Sequence, residues 1–256
     1  MARSIEGQIK STYFTLRVAL AVLAFALPPL LWVGGKIAGF PLRDSMSAYY
    51  WATPTQQCPC REENGICVKK DQVDTVMLED PTQAKTLQAG TMRNIFVGFL
   101  FAVGAILYVY KGYTKGEDYA LNFAGIMAVG VALFPTPWDC DKHPFTIHGA
   151  CAILFFLAIA FVCAFCSETT LVLLDPRERA RYRIIYRILA AVMVASPAVA
   201  YGFIWVTSQK QSFIFWAEAF GIYSFSIYWV IKIREISSIG SERRAIERDM
   251  APAIGD

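Results

Sequence analysis

The sequence predicts an all-α fold, a polytopic transmembrane bundle of six helices with a cysteine-bearing outer loop. Hydrophobic residues make up 55% of the 256 residues, and the mean hydropathy is +0.40. The apolar residues are also grouped into long blocks, and about 20 such residues are needed for a helix to cross the ~30 Å hydrocarbon core of a bilayer. These blocks do not alternate polar and apolar residues, which is the pattern that membrane strands require.

Six blocks follow one another along the chain, and each is predicted to be one span. Between the first two lies a polar outer loop at 36–92, and the chain closes with a basic tail at 234–256. The third block ends at Pro135 and Pro137, because proline cannot continue a helix without losing a backbone hydrogen bond. The predicted spans are about 18–35, 94–110, 119–134, 145–166, 184–206 and 213–233.

The distribution of lysine and arginine predicts the orientation of the bundle. The net charge of +3 is small, so it does not indicate nucleic-acid binding. Most of the 24 basic residues fall on one side if the N-terminus is placed in the cytosol, including five arginines between 177 and 187. Because short cytosolic loops carry the excess of positive charge, both termini are predicted to be cytoplasmic and the loop at 36–92 to lie outside.

Four of the seven cysteines are predicted to lie on the outer side. An oxidising compartment favours disulfides there, although the pairing does not follow from spacing. A zinc site that also uses nearby acids or a histidine is the weaker alternative, because the cysteine spacing matches no strong zinc motif. The disulfide candidates are Cys58, Cys60, Cys67 and Cys140; the additional ligands of the metal alternative are Asp139, Asp141 and His143.

A polar pocket is predicted near the outer leaflet. Ionisable residues inside a span are costly to bury and are therefore functional candidates, and Glu218 lies within the sixth block. At ~1.5 Å per residue, His148 lies at a similar depth in the fourth block. A purely structural role, in which Glu218 pairs with Arg93 or with tyrosines, is the alternative. The predicted pocket residues are Ser45, Tyr49, Arg93, Asn94, His148 and Glu218.

Several stretches resemble an uncharacterised family of bacterial six-span integral membrane proteins. They include Ser-Met-Ser-Ala-Tyr-Tyr-Trp at 45–51, Met-Arg-Asn-Ile-Phe-Val-Gly at 92–98 and Phe-Trp-Ala-Glu-Ala-Phe at 215–220. More distantly, the order of motifs is similar to the Frag/DRAM/Sfk-type membrane proteins, with His148, Ala152 and Glu218 at the matching positions. The resemblance implies six helices, the bacterial inner membrane, and a regulatory or lipid-associated role.

The favoured function is therefore that of a non-enzymatic membrane protein with a lipid-interacting or regulatory role, membrane lipids as partners and no cofactor. Two alternatives remain open. One is a membrane-embedded lipid-modifying hydrolase that uses Ser45, His148, Asp139 or Glu218. The other is a small proton- or cation-coupled transporter that uses Glu218. A zinc amidase like the alkaline ceramidases would need three histidines, and the sequence has two.

Overall fold

The computed structural model describes residues 5–38, 42–43, 45–51, 60–63, 66–69, 91–134, 146–207 and 213–250. The predicted all-α fold is confirmed, apart from one short antiparallel hairpin in the loop after the first helix. The helices are α1 Ile5–Ile37, α2 Thr91–Val109, α3 Lys115–Leu133, α4 Ile147–Phe161, α5 Glu168–Leu171, α6 Pro176–Thr207 and α7 Phe213–Met250. A 3₁₀ helix covers Ser47–Trp51, the hairpin strands are β1 Cys60–Glu63 and β2 Ile66–Lys69, and a π turn at Val162–Cys166 joins α4 to α5.

Each predicted span corresponds to one long helical element. The spans predicted at 94–110 and 119–134 end one residue after α2 and α3, and most of the helices begin before or end after the predicted bounds. The fourth predicted span, 145–166, corresponds to α4 and the π turn, and its first residue lies outside the described residues. The tail predicted at 234–256 continues α7 as far as Met250. The helices are longer than the apolar blocks because helical backbone hydrogen bonding continues through charged residues. Those at the start of α6, for example, have good helix propensity.

Within the described residues, five helical segments are long and apolar enough to cross a membrane, which is compatible with a multi-pass membrane protein. They are Gly7–Ile37, Thr91–Val109, Ile147–Leu171, Pro176–Ala200 and Phe213–Gly240. Helix α3 is less apolar because its first turn carries Lys115, Glu117 and Asp118. This first turn has an N-cap, since the Thr114 hydroxyl accepts a hydrogen bond from the Glu117 N–H at 3.2 Å.

The six long helices form a closed ring, because each packs against its neighbours in chain order and α7 packs against α1. Small residues allow a close approach between α2 and α3. A Cβ atom on Gly104 would lie 2.8 Å from the Gly125 carbonyl oxygen, and one on Gly125 would lie 2.6 Å from the Gly104 carbonyl oxygen. The exterior is apolar, with exposed residues such as Phe25, Ile126 and Leu157, as expected for helices that face lipid tails.

Candidate functional site

Polar side chains gather at the two ends of the ring. We call the end where α1 terminates and α2, α4 and α7 begin the loop end, because it carries the 3₁₀ helix Ser47–Trp51. We call the opposite end the basic end, because the arginine-rich start of α6 and the cationic Lys232 of α7 lie there. The pocket predicted from the sequence belongs to the loop end.

At the loop end, Glu218 fixes the segment that precedes the 3₁₀ helix. One oxygen of its carboxylate accepts a hydrogen bond from the Met46 N–H at 2.6 Å. One turn earlier on α7, the Phe215 ring packs 6.1 Å from the ring of Tyr49, which is fully buried. The structure therefore brings Glu218 together with the Ser45–Tyr49 part of the predicted pocket.

Ser45 has a local role in the same segment. Its hydroxyl lies 2.8 Å from that of Ser47 and accepts a hydrogen bond from the Ala48 N–H at 3.2 Å. A serine oxygen that receives a backbone N–H in this way begins a helical turn. The hydroxyl that the hydrolase alternative would use as a nucleophile is thus engaged in starting the 3₁₀ helix.

His148 lies elsewhere at the loop end, where it joins the start of α4 to the end of α3. Its Nδ1 atom is 3.1 Å from the Val131 carbonyl oxygen and 2.9 Å from the Phe134 carbonyl oxygen. Both partners are acceptors, so Nδ1 carries the proton and donates. The imidazole is buried and stabilises the packing of these two helices.

Arg93 and Asn94 are exposed on the first turn of α2. The Arg93 guanidinium lies 6.0 Å from the centre of the Tyr50 ring, within the range of a cation–π contact. Within the described residues, Glu218 forms no ion pair with Arg93 or His148. Residues 39–41, 44, 52–59, 70–90, 135–145 and 208–212 lie outside the described residues, and one pocket shared by all six residues stays a prediction.

The predicted disulfides receive no support from the structure. Cys58 and Cys140 lie outside the described residues, as do Asp139, Asp141 and His143 of the metal alternative. In the backbone register of the hairpin, Cys60 pairs with Lys69 and Cys67 with Glu62, so the two cysteines are not paired with each other. No two cysteines of the described part lie at disulfide distance; those of the bundle, Cys151, Cys163 and Cys166, are unbonded. The described residues also contain no group of three metal-ligating side chains.

A shallow, open groove of about 490 Å³ lies along α2 beside Leu23 of α1, from the loop end toward the middle of the bundle. Its α2 side is a single stripe at i, i+3, i+4, i+7, i+8 and i+11, which is one face of a helix. The two residues nearest the loop end are polar and the others are small or apolar. The groove is lined by Leu23, Thr91, Asn94, Ile95, Gly98, Phe99 and Ala102.

Gly98 forms the open floor of this groove. A Cβ atom added there would meet no atom within 4 Å, whereas one on Gly104 would meet the backbone of α3. Within α2, Gly104 therefore lies at a contact between helices, whereas Gly98 does not. The absent side chain at Gly98 instead leaves space open to the exterior of the bundle.

The basic end holds a buried charge network that the sequence reasoning missed. Lys232 and Glu235 of α7 are 1% and 0% exposed in their side chains, and the Lys232 ammonium lies 3.2 Å from a Glu235 carboxylate oxygen. The same ammonium donates to the Thr170 hydroxyl at 2.5 Å, and the Tyr186 hydroxyl donates to Glu235. These contacts join α5, α6 and α7 through a pair that has no access to water.

The network continues into α1 and α3. Arg17 of α1 is buried and donates from Nε to the Tyr110 hydroxyl at 2.8 Å and from Nη2 to the Tyr113 hydroxyl at 2.9 Å. Glu117 is also buried, and it accepts a hydrogen bond from the Tyr113 N–H at 2.8 Å. Burial raises the pKa of Tyr113, so its hydroxyl stays protonated and Arg17 donates to a neutral phenol.

The signal that could have found this network is the spacing of Lys232 and Glu235. They lie three residues apart on α7, and Lys232 follows the aromatic pair Tyr228 and Trp229 by one helical turn. The positive-inside rule counts Lys232 only among the basic residues that predict orientation, because it stands at the end of an apolar block. An acid three residues later places both charges on one helix face, and the neighbouring aromatic residues indicate that this face is buried.

Comparisons of the chain with models of protein families, with characterised proteins and with solved structures found no match.

Proposed function

We propose that the chain is a six-span protein of the bacterial inner membrane that binds a membrane lipid in the groove between α1 and α2, without catalysing a reaction on it. The observation that carries this proposal is the groove itself, with its open floor at Gly98 and its polar mouth at Thr91 and Asn94. A lipid-associated role is also what the resemblance to the six-span membrane proteins implies.

The proposed topology places the loop end outside and the basic end in the cytosol. The arginines of α6 then lie on the cytosolic side, as the positive-inside rule requires. Helix α3 counts as the sixth span because it packs between α2 and α4 within the ring. Its charged first turn then lies at the cytosolic interface, where charges are solvated or paired.

The dimensions of the groove favour one acyl chain of the outer leaflet. The stripe from Thr91 to Ala102 covers eleven steps of an α-helix, or about 16 Å at ~1.5 Å per residue. That length is about half of a ~30 Å hydrocarbon core, which is the depth of one leaflet. A chain lying along Ile95, Gly98 and Phe99 would thus end near the bilayer midplane.

The polarity of the groove favours the same occupant. Thr91 and Asn94 lie at its outer end and offer a hydroxyl and an amide to the ester or phosphate region of a lipid. Arg93 is exposed next to Asn94 and provides a cation at the level of the phosphates. Because Ser45 and His148 are both engaged in helix contacts, the described geometry favours binding over hydrolysis.

Filling the groove tests the proposal. Gly98→Phe places a ring in the lipid position, whereas Gly202→Phe on α6 is the matched control, since a Cβ atom there also meets no atom within 4 Å. The lipids that remain bound after purification in mild detergent are counted by native mass spectrometry. We expect the wild type and Gly202→Phe to retain a lipid that Gly98→Phe loses.

Two results would contradict the proposal. Equal lipid retention by Gly98→Phe and the wild type would mean that no lipid occupies the groove. A loss of bound lipid in both variants would mean that retention depends on general surface properties of the bundle and not on this groove.

A further inference from the structure

The arginines at the start of α6 point to two opposite faces of the helix. On one face, Arg183 donates from Nε and Nη2 to the two carboxylate oxygens of Glu168 at 2.5 and 2.9 Å. Arg179, one turn earlier, lies 3.7 Å from the same carboxylate. These two arginines are therefore engaged in holding α6 against α5.

The other face carries Arg177 and Arg181, which are exposed. Neither side chain forms an ion pair with any residue of the described ranges. At 3.6 residues per turn this face continues through Ile184 and Ile188, which are 58% and 57% exposed. Along a single exposed stripe, the surface thus changes from cationic to apolar within one helical turn.

Apolar side chains are also exposed beside the opposite face of α6, the face of Arg179 and Arg183. Val172 and Leu173, in the turn between α5 and α6, are largely exposed. Val172 also lines a surface depression that extends to Arg179 and Arg183. Apolar side chains next to arginines are the composition of a surface at the boundary between headgroups and acyl chains.

We propose that the Arg177–Arg181 face binds the headgroup of an anionic phospholipid from the cytosolic leaflet. The guanidinium groups would hold the phosphate through paired N–H donors, while Ile184 and Ile188 contact the acyl chains below it. The charge of the face selects an anionic lipid over a zwitterionic one. This site is separate from the α1–α2 groove, and the inference rests on the proposed membrane-spanning topology but not on what occupies that groove.

The test compares two double variants that each remove two positive charges at the basic end. Arg177→Gln with Arg181→Gln removes the proposed site, and Lys111→Gln with Arg234→Gln is the control, since both control residues are exposed. Each protein is reconstituted in nanodiscs of phosphatidylcholine and phosphatidylglycerol and extracted in mild detergent. Native mass spectrometry then gives the ratio of bound phosphatidylglycerol to phosphatidylcholine.

We expect the wild type and the control to be enriched in phosphatidylglycerol. In the site variant, the ratio of bound phosphatidylglycerol to phosphatidylcholine should fall roughly 5-fold for each arginine removed. An equal loss of enrichment in the control would overturn the proposed site and indicate general attraction to the charged surface. Enrichment of the site variant equal to that of the wild type would also overturn the proposed site. Displacement of the lipid by millimolar inorganic phosphate would identify a site for free anions and would overturn the assignment to lipid.

The same samples separate this inference from the proposed function. Gly98→Phe should leave the preference for phosphatidylglycerol unchanged, because residue 98 lies on α2 near the loop end and α6 begins at the basic end. If Gly98→Phe removes the groove lipid while the headgroup preference persists, the two sites are independent. If the arginine variant alone loses its lipid, the inference stands and the groove proposal fails.

Discussion

The two ends of the bundle bury polar groups in different ways. At the basic end, two cations and two carboxylates are almost inaccessible and are joined to tyrosines and a threonine across five helices. At the loop end, the carboxylate of Glu218 has one backbone partner in a short segment, and a groove opens beside it. A closed network stabilises one arrangement of helices, whereas a loosely connected end with an open groove can admit a ligand. The comparison therefore assigns stability to the buried network of the basic end, whereas the loop end is where we propose that a lipid enters the groove.

The largest expected effect comes from breaking the buried pair at the basic end. Lys232→Met leaves the Glu235 carboxylate buried without its cation, which should cost about 3–5 kcal/mol of unfolding free energy. Adding Glu235→Leu should restore much of that loss, since an apolar pair of similar volume avoids the desolvation of both charges. Thermal or denaturant unfolding in detergent measures both variants. If Lys232→Met alone is as stable as the wild type, the description of this end as a closed network is contradicted.

A smaller effect should separate the two glycines of α2. Gly104→Ala places a methyl group against the carbonyl of Gly125 and should destabilise the bundle by about 1–3 kcal/mol. Gly98→Ala adds the same atom into open space and should be neutral or stabilise α2 by about 0.5–1 kcal/mol. Unfolding midpoints of the two variants provide the comparison. Equal destabilisation would mean that α1 or a neighbouring segment covers Gly98 and that the groove is closed.

At the loop end, Glu218→Gln should cost about 1 kcal/mol or less, because an amide oxygen still accepts from the Met46 N–H and loses only the charge-assisted part of the bond. Glu235→Gln is the matched change at the basic end, where it leaves the Lys232 ammonium short of its counter-charge. The unfolding midpoint of Glu235→Gln should fall further than that of Glu218→Gln. The opposite order would reverse the assignment of stability to the basic end.

Proteoliposome flux that Glu218→Gln abolishes would instead favour the transporter alternative.

The smallest effect is expected for Arg93. Its exposed contact with the Tyr50 ring should be worth about 0.5–1 kcal/mol, so Arg93→Gln should leave the unfolding midpoint almost unchanged. If Arg93 also meets a lipid phosphate at the mouth of the groove, the same variant should weaken lipid retention by native mass spectrometry. A large loss of stability would show that Arg93 has a structural role that the Tyr50 contact does not explain.

The sequence predicted the helices well and the polar sites only in part. Long apolar blocks predict spans because unpaired backbone amides are prohibitive in hydrocarbon, and each block corresponds to one long helical element to within a few residues. Glu218 was identified because it is a lone acid inside an apolar block. Lys232 and Glu117 were missed because they stand at block ends, where a charge is ordinarily solvated; their burial results from how the helices pack. The groove at Gly98 was missed for the same reason, since a small residue marks a close contact or an open space depending on its neighbour.

The most direct test of the lipid groove is photo-crosslinking in a membrane. The protein is reconstituted with a phospholipid that carries a photoreactive diazirine in the middle of one acyl chain, irradiated, and digested for mapping by mass spectrometry. Binding in the groove predicts that crosslinks concentrate on Ile95, Gly98 and Phe99 of α2, and that Gly98→Phe removes them. Crosslinks spread evenly over the exposed faces of α2 and α6, and unchanged by Gly98→Phe, would contradict it.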